Sequence, residues 1–333
     1  MRMQTPERSE LLPLLADLSP AQFETTALSV FRYQAKANPF YAKYLKLLGR
    51  NPETIDRLSD IPFLPIQFFK KQEIQSGDWT PETIFLSSST TGQTPSQHLV
   101  RSVDWYLQNT RRGFGQFYGD PSEWCVLALL PSYLERTGSS LVAMADYFIH
   151  LSKYPESGFF LNDLQQLSHT LVRCRLHGYK TLLLGVSFGL LDFAEQFPMD
   201  LSGVTIMETG GMKGRRKELT RSELHQELRQ AFHVQHIHSE YGMTELLSQA
   251  YAMEGEVFAP MATMRIQTTE INDPFCITRP GKTGVLNVID LANLDTCSFI
   301  QTEDVGRVYE DGRFEVLGRL DVAEMRGCNL MVE

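Results

Sequence analysis

Apolar and polar positions along this chain follow two rhythms, and one gives way to the other near residue 80. Before that point the pattern is helical. Phe23, Ala27, Val30 and Phe31 recur at a spacing that places them on one helix face. They follow Ser19-Pro20-Ala21-Gln22, which reads as an N-cap with Pro at the first helical position. Pro52, Pro62 and Pro65 then break the pattern ahead of Gln67-Phe68-Phe69. Beyond residue 80, short apolar runs alternate with amphipathic ones. Trp124–Leu130, Tyr179–Leu184 and Val204–Met207 are almost wholly apolar, as strands buried on both faces are. Glu82–Leu86 reads as a further strand. Asn162–His177, Leu190–Phe197 and Thr220–Phe232 carry the helical period. The last opens with the capping box Thr220-Arg221-Ser222-Glu223 and lines Leu224, Leu228 and Ala231 along one side. This alternation predicts an α/β core built on a largely parallel sheet. After residue 255, Gly, Pro and short β segments (Gly284–Ile289, Arg313–Leu317) predict an antiparallel subdomain.

The pattern divides the chain into a mostly helical segment 1–80, an α/β core 81–254, a β-rich subdomain 255–318 and a tail 319–333. A length of 333 residues fits one large domain or two ordinary ones. The 42% hydrophobic and 21% charged content is that of a globular chain rather than a disordered one. A net charge of -9 argues against a non-specific grip on nucleic acid, which needs clustered Lys and Arg. The one basic cluster, Lys213, Arg215, Arg216 and Lys217, reads as a solvated loop. No run approaches the ~20 apolar residues of a membrane helix, so no membrane insertion is expected. The first residues lack the continuous apolar region of a secretory signal. Cys125, Cys174, Cys276, Cys297 and Cys328 are scattered and without CxxC spacing, which argues against a disulfide framework or a structural zinc site. These features together place the chain in the cytoplasm.

Several stretches carry candidate chemistry. Ser87-Ser88-Ser89-Thr90-Thr91-Gly92 follows a strand and offers O–H and N–H donors suited to phosphate oxygens, although it lacks the GxxxxGK[ST] pattern. It also reads as a polar turn. Gly185-Val186-Ser187-Phe188-Gly189 has the form of a nucleophile elbow between strand and helix. A hydrolase of that kind needs an acid and then a histidine further on. The last histidine, His238, leaves little room for the strand–helix units that would carry them, so Ser187 reads as a strand–helix turn. His233, His236 and His238 lie on an expected strand with neither an HExxH helix nor cysteine partners, so strand polarity is favoured over zinc. His238, nearest Tyr241, is the one expected to line a pocket. In Tyr241-Gly242-Met243-Thr244-Glu245, Glu245 falls in an expected turn at a strand's end. A carboxylate there suits Mg²⁺ beside a triphosphate, and Tyr241 could stack on a base. The Thr-Glu pair also suits a helix start. Asp304 and Arg319 flank a β segment. They could hold ribose hydroxyls and a phosphate, or form a surface ion pair across a hairpin.

Together with Thr302-Glu303-Asp304-Val305-Gly306 and Gly318-Arg319-Leu320-Asp321, these stretches resemble the adenylate-forming superfamily of acyl-CoA synthetases, adenylation domains and luciferases. Within it the chain is most similar to the LuxE-type acyl-protein synthetases of bacterial fatty-acid reductases. The likeness runs from about Phe85 onward and includes Pro131-Ser132-Tyr133-Leu134-Glu135-Arg136, Ser139-Ser140-Leu141 and Gly210-Gly211-Met212-Lys213-Gly214.

The resemblance implies an adenylate-forming N-terminal-domain architecture: mixed sheets flanked by helices, a small β subdomain, and no C-terminal lid domain. It implies ATP and Mg²⁺ as cofactors and a carboxylic acid, fatty in that family, as substrate. It further implies an acyl-accepting or reductase protein as partner. Ser87 to Gly92 would form the phosphate loop and Tyr241 would contact adenine. Thr244 and Glu245 would face the phosphates and Mg²⁺. Asp304 would bind the ribose hydroxyls with Arg319 beside it, and Asp321 would sit at the superfamily's hinge. Gly210 and Gly211, with Ser139 and Ser140, would border the nucleotide and acid. Two features depart from the larger relatives: Ser89 stands where they usually have Gly, and Pro95-Ser96 replaces a Pro-Lys pair. Cys328, near the end of the chain, has the residue type that acyl-protein synthetases acylate. It also suits a small buried hydrophobe.

Overall fold

The computed structural model describes residues 5–87, 94–130, 138–210 and 219–320. Two compact units emerge: residues 1–80 with 262–333, and residues 81–261. The first 80 residues therefore share a unit with the later β-rich part of the chain.

The first unit begins with helices α1 (Arg8–Ala16), α2 (Phe23–Ala37) and α3 (Pro39–Leu47), then a short strand β1 (Leu64–Pro65). Ser19, expected as an N-cap, forms a capping box with Gln22 and closes a single 3₁₀ turn over Pro20–Gln22 ahead of α2. Phe23, Ala27, Val30 and Phe31 are all buried along α2, on the face their spacing predicts.

The 81–261 unit supplies a hairpin of β2 (Thr83–Leu86) and β3 (Gln97–Val100), then α4 (Val103–Tyr118), β4 (Cys125–Leu129), α5 (Ser140–Leu151), β5 (Gly158–Phe159) and α6 (Leu164–Leu176). There follow β6 (Thr181–Val186), α7 (Ser187–Gln196), β7 (Val204–Thr209), α8 (Arg221–Phe232), β8 (His238–Tyr241), β9 (Ala250–Ala252) and β10 (Val257–Pro260). Its main sheet runs β10-β9-β8-β7-β6-β4-β5. The strands from β8 to β5 are parallel, and β9 and β10 are antiparallel. Every residue of β4 and β6 is buried, which accounts for their unbroken apolar sequences. Thr220 caps α8 through the capping box with Glu223.

The chain then returns to the first unit with β11 (Met264–Glu270), β12 (Asp273–Ile277), β13 (Thr283–Asp290), β14 (Phe299–Val308) and β15 (Phe314–Arg319). These form an antiparallel sheet in the order β12-β11-β13-β14-β15, with β1 parallel to β14. Buried polar groups bind α2 to this segment. The Gln34 amide donates to the carbonyls of Asn293 and Leu294 at 2.9 and 3.1 Å, and its oxygen accepts from Ser298 N at 2.9 Å. Arg8 grips Asp295 with both a 2.5 Å and a 2.7 Å hydrogen bond, a fork that suits guanidinium and carboxylate geometry. Among the described residues, no helix is long and apolar enough to cross a membrane.

Candidate functional site

Three parallel strands of the 81–261 unit end side by side. Thr209 on β7 pairs with Val186 on one side and Glu240 on the other, so Ser187, Gly210 and the turn after Tyr241 leave the sheet as neighbours. In open α/β sheets, ligands bind outside the carboxyl ends of the parallel strands. The candidate site in this unit is therefore built where β6, β7 and β8 end.

Tyr241 is buried at the end of β8, its ring tilted against Phe258 with centroids 5.8 Å apart. The chain then turns, and Leu246 N donates to the Met243 carbonyl at 3.1 Å. Glu245 is buried in this turn, the position the sequence suggests for it. The Thr244 carbonyl lies 2.7 Å from Nδ1 of His98 on β3. A carbonyl only accepts, so Nδ1 carries the hydrogen. Burial pulls the His98 pKa down to about 4, which keeps the ring neutral near pH 7. His98 thus ties the hairpin that carries the hydroxyl-rich loop to the turn that carries Glu245.

At the neck of that hairpin, Ser87 N donates to the Ser96 carbonyl at 3.1 Å, and Ser87 Oγ accepts from Ser96 N at 2.8 Å. Ser87 thus closes the base of the loop. Ser88, Ser89, Thr90, Thr91 and Gly92 lie outside the described residues, as do Gly211, Asp321 and Cys328. Ser139 serves as the N-cap of α5, accepting from Val142 N at 3.3 Å.

Gly210 has φ +73°, in the left-handed region that suits glycine. Its carbonyl accepts from Ser187 Oγ at 2.9 Å, and the same hydroxyl lies 3.2 Å from Glu208 Oε2. Ser187 therefore meets a carboxylate and a backbone carbonyl rather than a general base, and the elbow-like motif opens α7 instead of a hydrolase site. Glu208 also receives Arg221 Nε at 3.2 Å, with His225 Nε2 3.7 Å away. Burial pushes the Glu208 carboxyl upward. The nearby His225 and the Arg221 charge outweigh that, leaving it below the usual carboxylate range.

The three histidines do not share a strand. His233 ends α8 in a left-handed conformation with φ 53°. His236 lies 4.0 Å from Glu254, and only His238 belongs to β8. The Tyr118 hydroxyl is 3.1 Å from His238 Nδ1, and burial pulls this histidine's pKa down to about 4. Among the described residues, no group of three or more His, Cys, Asp and Glu side chains is placed to hold a metal ion.

In the other unit, Asp304 and Arg319 are partners in the β14–β15 register, and Arg319 Nε donates to Asp304 Oδ1 at 3.1 Å. The Arg319 side chain is 66% exposed and that of Asp304 only 8%. The cross-strand ion pair allowed by the sequence is thus present, with its carboxylate largely enclosed.

Three residues of the site, His98, Glu208 and Glu240, belong to no motif of the sequence. Their signal is weak, each being a polar residue in a short β run, and their partners come from distant elements.

This architecture is the adenylate-forming fold. The chain superimposes on 2-hydroxyisobutyryl-CoA ligase, solved with 2-HIB-AMP and CoA in the thioesterification state, with a TM-score of 0.66 at 13% identity, covering 97% of this chain and 74% of the ligase. It superimposes on ATP-bound MatB from Rhodopseudomonas palustris with a TM-score of 0.53 at 15% identity, covering 71% of this chain. That match spans 47% of MatB, about half its length. No family model matches the sequence, and no curated protein matches it.

Proposed function

We propose that the chain activates a carboxylic acid with ATP and passes the acyl group to a thiol. The observation that carries this reading is the meeting of Gly210 and the Tyr241–Glu245 turn at adjacent carboxyl strand ends. They meet on a fold shared, over nearly the whole chain, with a ligase solved in complex with an acyl-AMP and CoA.

In this reading the acid's carboxylate attacks the α-phosphorus of ATP, the bond to the bridging oxygen breaks, and pyrophosphate leaves. A thiolate then attacks the acyl carbonyl, forming a thioester and releasing AMP. The hydroxyls and amides of 87–92 and Thr244 stabilise charge on the phosphates. Tyr241 borders the base; in the other unit, Asp304 with Arg319 is a pair suited to ribose hydroxyls and phosphate. Glu245, a single carboxylate in a strand-end turn, fits Mg²⁺, which typically takes one or two carboxylates together with substrate oxygens. When bound, the ion neutralises phosphate charge.

The acid is read as fatty and the thiol as Cys328, with delivery to a reductase or acyltransferase partner. The CoA held by the 2-hydroxyisobutyryl-CoA ligase supports a second reading, in which CoA is the acceptor. Incubation with Mg·ATP and short, long or aromatic acids, followed by chromatography of AMP and mass measurement of the protein, tests both. AMP release with one acid class and an acyl adduct on Cys328 supports the first. Acyl-CoA formed equally by Cys328→Ser supports the second. No AMP release with any acid overturns acid activation.

A further inference from the structure

We propose that Glu240 is a positioning residue whose carboxyl holds the Gly242–Glu245 turn against the end of β7, so that the β7 and β8 segments present a fixed surface to one ligand. The ligand in question rests on the acid-activation reading above; the fixing of the turn rests on contacts alone.

Glu240 is the last residue but one of β8 and is paired with Thr209. Its two carboxyl oxygens do different things. Oε2 accepts the hydroxyl of Thr209, which immediately precedes Gly210. Oε1 lies against the backbone of Gly242, so closely that a Cβ at position 242 would fall well inside contact distance of it. A side chain at position 242 would force this carboxyl to move, so glycine lets the backbone of the Tyr-Gly-Met-Thr-Glu motif pass close by it. One planar group therefore touches both the residue before Gly210 and the first residue of the turn that bears Thr244 and Glu245.

The site is enclosed: Glu240 is 7% exposed. Among the described residues, the ionisable groups that act on it or feel its charge are Glu208 on β7, Tyr106 on α4 and Tyr251 on β9, none of them a cation. The Tyr106 hydroxyl is engaged with the Ser140 carbonyl at 2.9 Å. Among the described residues no cation is paired with Glu240, and a carboxyl enclosed in this way needs hydrogen bonds to offset its desolvation. Its contacts with Thr209 and Gly242 account for its place, and both lead to candidate ligand-binding segments.

The test compares Glu240→Gln, Glu240→Ala and Thr209→Val with the wild type in two measurements. Hydrogen exchange on the free protein reads protection of the amides from 241 to 246. Steady-state ATP–pyrophosphate exchange reads KM for ATP separately from kcat. In Glu240→Ala, the turn amides should exchange about tenfold faster or more, with the amides of β4 and β6 unchanged, because local opening is decoupled from global unfolding. KM for ATP should rise by about tenfold or more. Glu240→Gln keeps an acceptor for Thr209 and should restore most of both. If Glu240→Ala does not fold, Thr209→Val, which removes only the donor, carries the same test.

Unchanged protection of the turn in Glu240→Ala, or a loss spread evenly over the unit, overturns the proposal. A wild type that shows no acid-dependent exchange overturns the functional reading instead. The hydrogen-exchange measurement still decides what Glu240 does.

Discussion

The Nδ1–H of His98 donates to the carbonyl of Thr244 at 2.7 Å, joining residues 146 positions apart. The bond makes one rigid piece of two motifs that the sequence shows separately: the hairpin of the hydroxyl-rich loop and the turn of Glu245. His98→Ala would leave the Thr244 carbonyl without this donor and should cost about 1–3 kcal/mol in stability. It should also lower acid-dependent turnover about a hundredfold, as small misplacements of reacting groups do. His98→Asn, whose side-chain amide can take the place of Nδ1–H, should recover much of both. Urea unfolding and kcat/KM on the same preparations check this. A fully active His98→Ala would show that the tie serves stability alone.

Glu240 and His98 should tilt the stability–pH profile in opposite directions. Burial, reinforced by Glu208, raises the Glu240 carboxyl from 4.5 to about 7. Between these values the folded state binds more protons than the unfolded one, so this contribution is complete below about pH 4.5 and is lost as pH rises toward 7. His98 is lowered from 6.5 to about 4, so its contribution is complete above about pH 6.5 and is lost as pH falls toward 4. Glu240→Gln removes the first slope. Relative to the wild type, the variant should gain about 1–3 kcal/mol between pH 5 and pH 7.5 in urea unfolding. Parallel profiles would contradict the assignment.

Ser187 should be inert toward a fluorophosphonate probe. Its hydroxyl is buried and engaged with Glu208 and the Gly210 carbonyl, and among the described residues it has no hydrogen bond to a histidine. Ser187→Ala should cost about 1–3 kcal/mol by leaving buried acceptors without their donor. Stoichiometric labelling of Ser187, seen by mass spectrometry, would revive a hydrolase.

Asp304→Asn separates the two meanings of the β14–β15 ion pair. Arg319 is largely exposed, so the pair itself should contribute less than about 1 kcal/mol, and unfolding should change little. A ribose-binding role predicts instead a tenfold or greater loss of ATP affinity by calorimetry, consistent with loss of charge-assisted hydrogen bonds. Unchanged ATP affinity would leave the pair as a surface contact.

The apolar runs of β4 and β7 and the capping box of α8 could be read because each depends on neighbours a few residues away. Local features that imitate one another conceal the true boundaries. α7 begins at Ser187, three residues before the expected Leu190, since Ser187 satisfies Gly210 across the sheet instead of forming a free turn. His233 looks like a strand residue until the end of α8 places it in a left-handed conformation. The site's supports were the least legible. His98 with Thr244 and Thr209 with Glu240 are pairings fixed by topology, and no local pattern announces them. Short motifs and their place at strand ends point to Glu245 and Asp304; what holds them is visible only in the folded chain.

The most direct test of acid activation is ATP–pyrophosphate exchange across short, long and aromatic acids, in wild type and Glu245→Gln. Acid-dependent exchange in the wild type, falling about a hundredfold or more in the variant, is the expected result, because a single charge-stabilising group is worth that much. No exchange with any acid in a wild type that binds ATP, or equal exchange in Glu245→Gln, would contradict the account.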